Sequence, residues 1–213
     1  SLYSFFSIET EDLAASQKLM LKHFNEVIEL KFVLISLLVE LVNYADNFYE
    51  EAKKKHFPTS SDLDPNRKFI DNQIIHKIQN DSMLMKEISK YSSFWLNNDH
   101  DILNKIFIDV NKSDLYNTYL DSNINNIDYD KKFIVDVMNQ YILNHQLVHH
   151  MLEERSIYWI DDLPFIATIF FGDIKNDNNI FSKKVFKDLS DKRFALDLFK
   201  SVINNNISYN NII

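Results

Sequence analysis

Three side chains at four-residue intervals, His145, His149 and Glu153, form the pattern in this chain best suited to hold a metal ion. On a helix, residues four apart share a face, and two imidazoles with a carboxylate can ligate zinc. His150 points off that face. The order is not the His-Glu-x-x-His of a metalloprotease, which sets its general base between two ligands. An exposed polar stripe has the same spacing, and that is the reading adopted, so no metal is expected. Two carboxylate pairs, Glu153-Glu154 and Asp161-Asp162, are the other candidates for chemistry. Adjacent helical residues diverge, so Glu153 and Glu154 are not expected to share a proton. Asp161 or Asp162 reads as the cap of the helix that follows.

Other reaction classes lack their parts. The chain has a single glycine, Gly172, so neither a phosphate-binding loop nor a dinucleotide fingerprint can be built, and no Gly-x-Ser-x-Gly elbow exists. Cysteine is absent, which removes disulfides, thiolate metal sites and cysteine nucleophiles, and fits a reducing cytoplasm. No catalytic residue and no cofactor is expected. Net charge is −8, with only three arginines, Arg67, Arg155 and Arg193, so bidentate recognition of phosphate is scarcely provided for. Lysines cluster at Lys53 to Lys55, at Lys131-Lys132, and at Lys183, Lys184 and Lys187, and read as solvated faces. Tyr91, Phe94, Trp95, Tyr158 and Trp159 offer rings for base stacking or for a core, and the core is the commoner use.

The elements that would position these residues are helices. With one Gly and three Pro in 213 residues, the tight turns of a sheet protein are not provided for, whereas 17 Phe and 10 Tyr supply a large core. The fold class expected is all-α, in packed helical bundles. A first helical segment finishes near Ser7, and Thr10-Glu11-Asp12 starts another that ends near Phe24. A long helix follows from about Glu26 to His56. Its stripe is Val27, Leu30, Leu34, Leu38, Leu41, Ala45 and Phe48. The run Phe32 to Val39 is too short to span a bilayer and reads as buried on nearly all sides. Further helices are expected over 66–91, 102–110, 115–120 and 129–155, with Trp95 in a connector. Another runs from the Trp159–Pro164 segment to Gly172 as a left-handed cap. Short helices follow over 181–188 and 191–203, after a loop at 176–179. The polar break at Asn123 to Asn126 is the expected boundary between regions 1–125 and 126–213. Leu2 to Phe6 lacks a start signal and a signal peptide, and Ile212-Ile213 lacks a cap, so both ends read as cut.

One short pattern occurs three times at nearly equal intervals: Lys68-Phe69-Ile70-Asp71-Asn72-Gln73-Ile74, Lys132-Phe133-Ile134-Val135-Asp136-Val137-Met138 and Arg193-Phe194-Ala195-Leu196-Asp197-Leu198-Phe199. Each follows a helix-start signal: Asp64-Pro65 for the first, Asp128 and Asp130 for the second, Ser190 and Asp191 for the third. The copies are either repeated helical units or separate helix starts that look alike.

These segments carry a family likeness. Leu2-Tyr3-Ser4-Phe5-Phe6 resembles the first-helix motif of the transcription antitermination factor NusB, and Lys68-Phe69-Ile70-Asp71-Asn72 resembles that family's Lys-Phe-Val-Asn motif. Asp64 to Phe69, Ser113-Asp114-Leu115-Tyr116, Trp159-Ile160-Asp161-Asp162-Leu163-Pro164 and Arg193 to Phe199 look like landmarks of its long bacterial form. The likeness covers nearly the whole chain. It implies two packed helical sub-bundles without enzymatic activity. The implied partners are NusE, a small ribosomal subunit protein, boxA RNA of ribosomal RNA leaders, and the transcribing RNA polymerase complex, with no membrane. In that family an arginine-rich RNA-binding segment precedes Leu-Tyr-Ser, and the final helices hold much of the NusE surface; both lie outside these residues. Tyr3 alone matches a position near the RNA-binding surface, and a core role fits it equally. Phe69, Phe133 and Phe194 compete for one family position.

Overall fold

The computed structural model describes residues 13–96, 101–176, 193–194 and 196–202. Tyr3, the first helical segment, the start signal at Thr10 and the expected helix over 181–188 lie outside them. The described residues are all-helical, with no strand among them. The chain divides into two compact units, Leu30–Phe181 and Ser1–Glu29 with Ser182–Ile213. The polar break at Asn123 to Asn126 falls within the first of these.

Helix α1 spans Leu13–Lys53. A junction between two helices was expected near Asn25, but neither Gly nor Pro stands between Leu13 and Lys53 to break the ladder. The run Phe32 to Val39 is buried at every position, as its composition implied. The predicted stripe is buried from Val27 through Ala45, whereas Phe48 is 43% exposed. Buried among these apolar residues is Lys31, which is 0% exposed and donates to Asp173. Trp95, 1% exposed, donates its indole N–H to the Val33 carbonyl at 3.1 Å.

The helix expected over 66–91 is three shorter pieces, and a separate helical turn precedes them. α2 (Ser60–Leu63) is a single turn with a capping box between Thr59 and Asp62. Asp64-Pro65 does not start a helix. Residues 68–71 form a turn, and α3 (Gln73–Asn80) begins only after Asn72, whose side chain caps it at Ile74 N–H. Asp81 then caps α4 (Ser82–Ile88) with bonds to Met83 and Leu84 N–H. Asx side chains offer the backbone an alternative to the helical ladder, which a reading of apolar spacing misses. A 3-10 turn (Ser89–Tyr91) leads into α5 (Ser92–Leu96), so Trp95 is helical and not in a connector.

α6 (Ile102–Asn111) and α7 (Asp114–Asp121) form the expected pair, with Ser113 capping α7 at Tyr116 N–H. The long helix expected over 129–155 is interrupted. α8 (Ile127–Val137) starts at the Asn126 cap and passes into a π-helical turn, Met138–Ile142. There Leu143 N–H reaches the Met138 carbonyl at 2.8 Å, and the Asn144 carboxamide takes the Asn139 carbonyl at 2.6 Å. α9 (Gln146–Arg155) starts afresh from His145. α10 (Trp159–Asn176) contains both Pro164 and Gly172. Gly172 is therefore not a left-handed cap: it has no positive φ, and α10 runs on through Asn176. Asp161 and Asp162 stand in the first turn, where carboxylates suit the helix dipole, and not at the cap. Trp159, 1% exposed, anchors that turn in the core. In Leu30–Phe181, α8 packs against α3, α7 and α10, α9 against α10, and α6 against the π-helical turn. Among the described residues no helix is long and apolar enough to cross a membrane.

Candidate functional site

The three pattern copies lead to three different environments. Phe69 sits in the turn before α3 and is 0% exposed, Phe133 lies inside α8 and is 2% exposed, and Phe194 is 69% exposed. They are not copies of one helical unit. What the structure does bring together is the first two. Phe69 meets Phe133 edge to face at 5.6 Å, and Phe133 stacks flat on Tyr119 at 3.7 Å. Tyr116 closes the group against Phe69 at 5.7 Å.

Beside these rings lies a buried polar cluster. Asp130, 3% exposed, turns inward from the first turn of α8. Its carboxylate accepts from the Tyr119 hydroxyl at 2.7 Å, the Gln73 backbone N–H at 3.1 Å and the Gln73 side-chain amide at 3.0 Å. Gln73 is the first residue of α3, so Asp130 satisfies one of the donors that a helix start leaves over. Asn72, 1% exposed, caps the next one and sends its own N–H groups to Tyr119 Oη at 3.1 Å and the Asp130 carbonyl at 3.3 Å. Burial, and then the bond to Asp130, hold the Tyr119 hydroxyl well above the usual tyrosine value. It stays a neutral donor at neutral pH and orients the Asp130 carboxylate.

Lys68 covers this cluster. Its ammonium donates to the Ser122 carbonyl at 2.6 Å and lies 4.8 Å from the Tyr119 ring centre and 5.2 Å from that of Tyr129. A groove of about 440 Å³ opens alongside, lined by Asn66, Arg67, Lys68, Asp71, Ser122 and Asn125 among others. Arg67 is held at its edge by Asp46 at 2.8 Å. The groove presents charges of both signs with amide and hydroxyl groups, which suits hydrogen bonding to a polar chain. Sequence reading found Lys68, Phe69 and Asn72 by pattern but took Asp130 for a helix-start signal and passed over Tyr119. The only signal for them was the Asx residue at the end of one motif and the acid before the next.

His145, His149 and Glu153, weighed as a metal face and read as a polar stripe, do not share one helical face. His145 is the N-cap of α9 and not part of its face, with Nδ1 accepting from Leu147 N–H at 3.2 Å. His149 is committed to the Leu143 carbonyl at 2.6 Å, and Glu153 is exposed. Among the described residues no group of three or more such side chains is placed to hold a metal ion. His150 instead approaches Glu154 at 3.4 Å. Burial, followed by Lys105 and His149, holds His145 below its ordinary value of 6.5, while Asp109 acts in the opposite sense. A second groove of about 630 Å³ adjoins it, lined by Asp109, Lys112, Gln140, Tyr141, Asn144 and His145 among others. Of the basic clusters, Lys53, Lys54 and Lys55 are paired with Glu50, Glu51 and Asp62, in keeping with a solvated face. No protein-family model, curated protein or solved structure matches this chain.

Proposed function

We propose that this chain is a transcription antitermination factor of the NusB kind, working in the cytoplasm by binding and not by catalysis. It joins NusE on boxA-type RNA of ribosomal RNA leaders, and the assembly accompanies the transcribing RNA polymerase. The observation that carries the reading is the order of the family-like segments, from Leu2-Tyr3-Ser4 through Lys68–Asn72, Ser113–Tyr116 and Trp159–Pro164 to Arg193–Phe199. Support comes from where the described ones lie. Phe69, Asn72, Tyr116 and Trp159 are buried anchors, and Ser113 is a helix cap. A chain of net charge −8 has little of its own with which to neutralise phosphates, so the basic partner supplies that part of the affinity. The test is a band shift with boxA RNA, using the full-length gene product and NusE together and apart. A retarded complex that needs both proteins is the expected result. No complex at moderate salt refutes the reading.

The acidic balance and the scarcity of arginine favour a second reading, an acidic helical module for protein–protein interaction without an RNA role. A pull-down that recovers defined partners with no transcription component and no RNA would select it.

A further inference from the structure

We propose that His145 is a proton-operated latch: protonation of its Nδ1 removes the acceptor that starts α9 and loosens one wall of the groove beside the π-helical turn. The neighbourhood assigns each nitrogen a state. Leu147 N–H donates to His145 Nδ1 at 3.2 Å, so that nitrogen carries a lone pair and the ring hydrogen sits on Nε2. Nε2 faces Asp109 Oδ2 at 3.9 Å. A solvent proton can add only at Nδ1. Once there, it turns the cap acceptor into a second donor, and Leu147 N–H loses its partner. The cation meanwhile is drawn to Asp109, away from the helix start.

The other charged and titratable groups facing this ring are Lys105 and Lys112 at α6, Tyr141 in the π-helical turn and His149 on α9. Lys105 and His149 resist the added charge, Asp109 favours it, and burial of the ring resists it most. His149 donates from Nε2 to the Leu143 carbonyl at 2.6 Å, and the Asn144 carboxamide holds the Asn139 carbonyl, so the turn itself stays pinned in both states. Only the first turn of α9 responds. The sign follows from the lowered folded value. The cap is fully present above pH 6.5 and is lost as pH falls through that lower value. His145, Asn144 and Gln146 line the groove with Asp109 and Lys112, so its width changes with the latch.

The experiment uses the full chain and its H145N and H145A variants, with amide protection factors and histidine tautomers read by NMR between pH 7.5 and 5. Asparagine caps helices well and does not titrate in this range, whereas alanine cannot cap. In the parent chain, Nδ1 is expected unprotonated at pH 7.5, and protection of the first α9 turn falls roughly fivefold on acidification, the effect of losing one cap. H145A shows that lower protection already at pH 7.5, which reads the loss of the cap without acid. H145N stays protected at both ends. A hydrogen on Nδ1 at pH 7.5 overturns the proposal, as does unchanged protection while His145 titrates, or an H145N response that copies the parent.

Discussion

Replacing Asp130 should show how far the core depends on one inward-facing carboxylate. D130A strips the acceptor from three hydrogens: the Tyr119 hydroxyl, the Gln73 backbone N–H and the Gln73 side-chain amide. The amide can turn to water, because Gln73 is only half-buried. Tyr119 can redirect its hydrogen to the Lys68 carbonyl at 3.2 Å, a poorer bond. The Gln73 backbone N–H has no such recourse. One stranded buried donor costs about 1–3 kcal/mol, and the lost charge-assisted bond to Tyr119 adds about 1 kcal/mol, so D130A should cost roughly 3 kcal/mol. D130N keeps one oxygen for Gln73 and turns an amide to Tyr119 Oη, which holds the loss to about 1 kcal/mol. Urea titrations followed by circular dichroism supply the values, provided the slope is unchanged. A D130A loss under about 0.5 kcal/mol would refute the reasoning. So would a Y119F/D130A double mutant whose losses simply add, since directly bonded residues should couple by about 1 kcal/mol.

D173A removes a carboxylate held by the buried Lys31 ammonium, and should cost about 3 kcal/mol, the low end of the range for breaking a buried pair because the Asp173 side chain is 22% exposed. Chemical denaturation measures it, and a loss below about 1 kcal/mol would mean Lys31 relaxes to water. G172A should stabilise by about 0.5–1 kcal/mol, since a Cβ there meets nothing within 4 Å and α10 gains a better helix former. A lower thermal midpoint would contradict the helical assignment at that position. The Asp62 carboxyl should titrate at about 2, held there first by Lys55 and then by Thr59, against an ordinary 3.8. Its folded value is depressed, so its contribution is present above pH 3.8 and fades as pH falls towards 2. K55A should move the midpoint back towards 3.8 in a carboxyl-detected NMR titration, and an unmoved midpoint would make the Thr59 bonds sufficient alone.

The all-helical class was legible because it rests on composition: one Gly, three Pro and many large apolar side chains leave little else. The buried run Phe32 to Val39 was legible for the same reason, since apolar density over that length has few other uses. Interruptions were not. Asn72, Asp81 and His145 each start a helix by a side-chain bond to the backbone, Asp81 directly after the helix before it, and apolar spacing runs straight through all three. The same blindness produced the metal candidate, because the four-residue spacing of His145, His149 and Glu153 has meaning only if the helix is unbroken. Asp130 and Tyr119 were missed because a buried carboxylate and a buried phenol look like surface residues until their partners from α3 are placed beside them.

Both tryptophans, Trp95 and Trp159, are almost completely buried and both belong to the unit Leu30–Phe181. Intrinsic fluorescence of this protein is therefore a local gauge. Its emission will shift to the red when the core around these two rings opens. A melt that differs between emission and far-ultraviolet ellipticity would show helix lost in a step separate from the opening of that core.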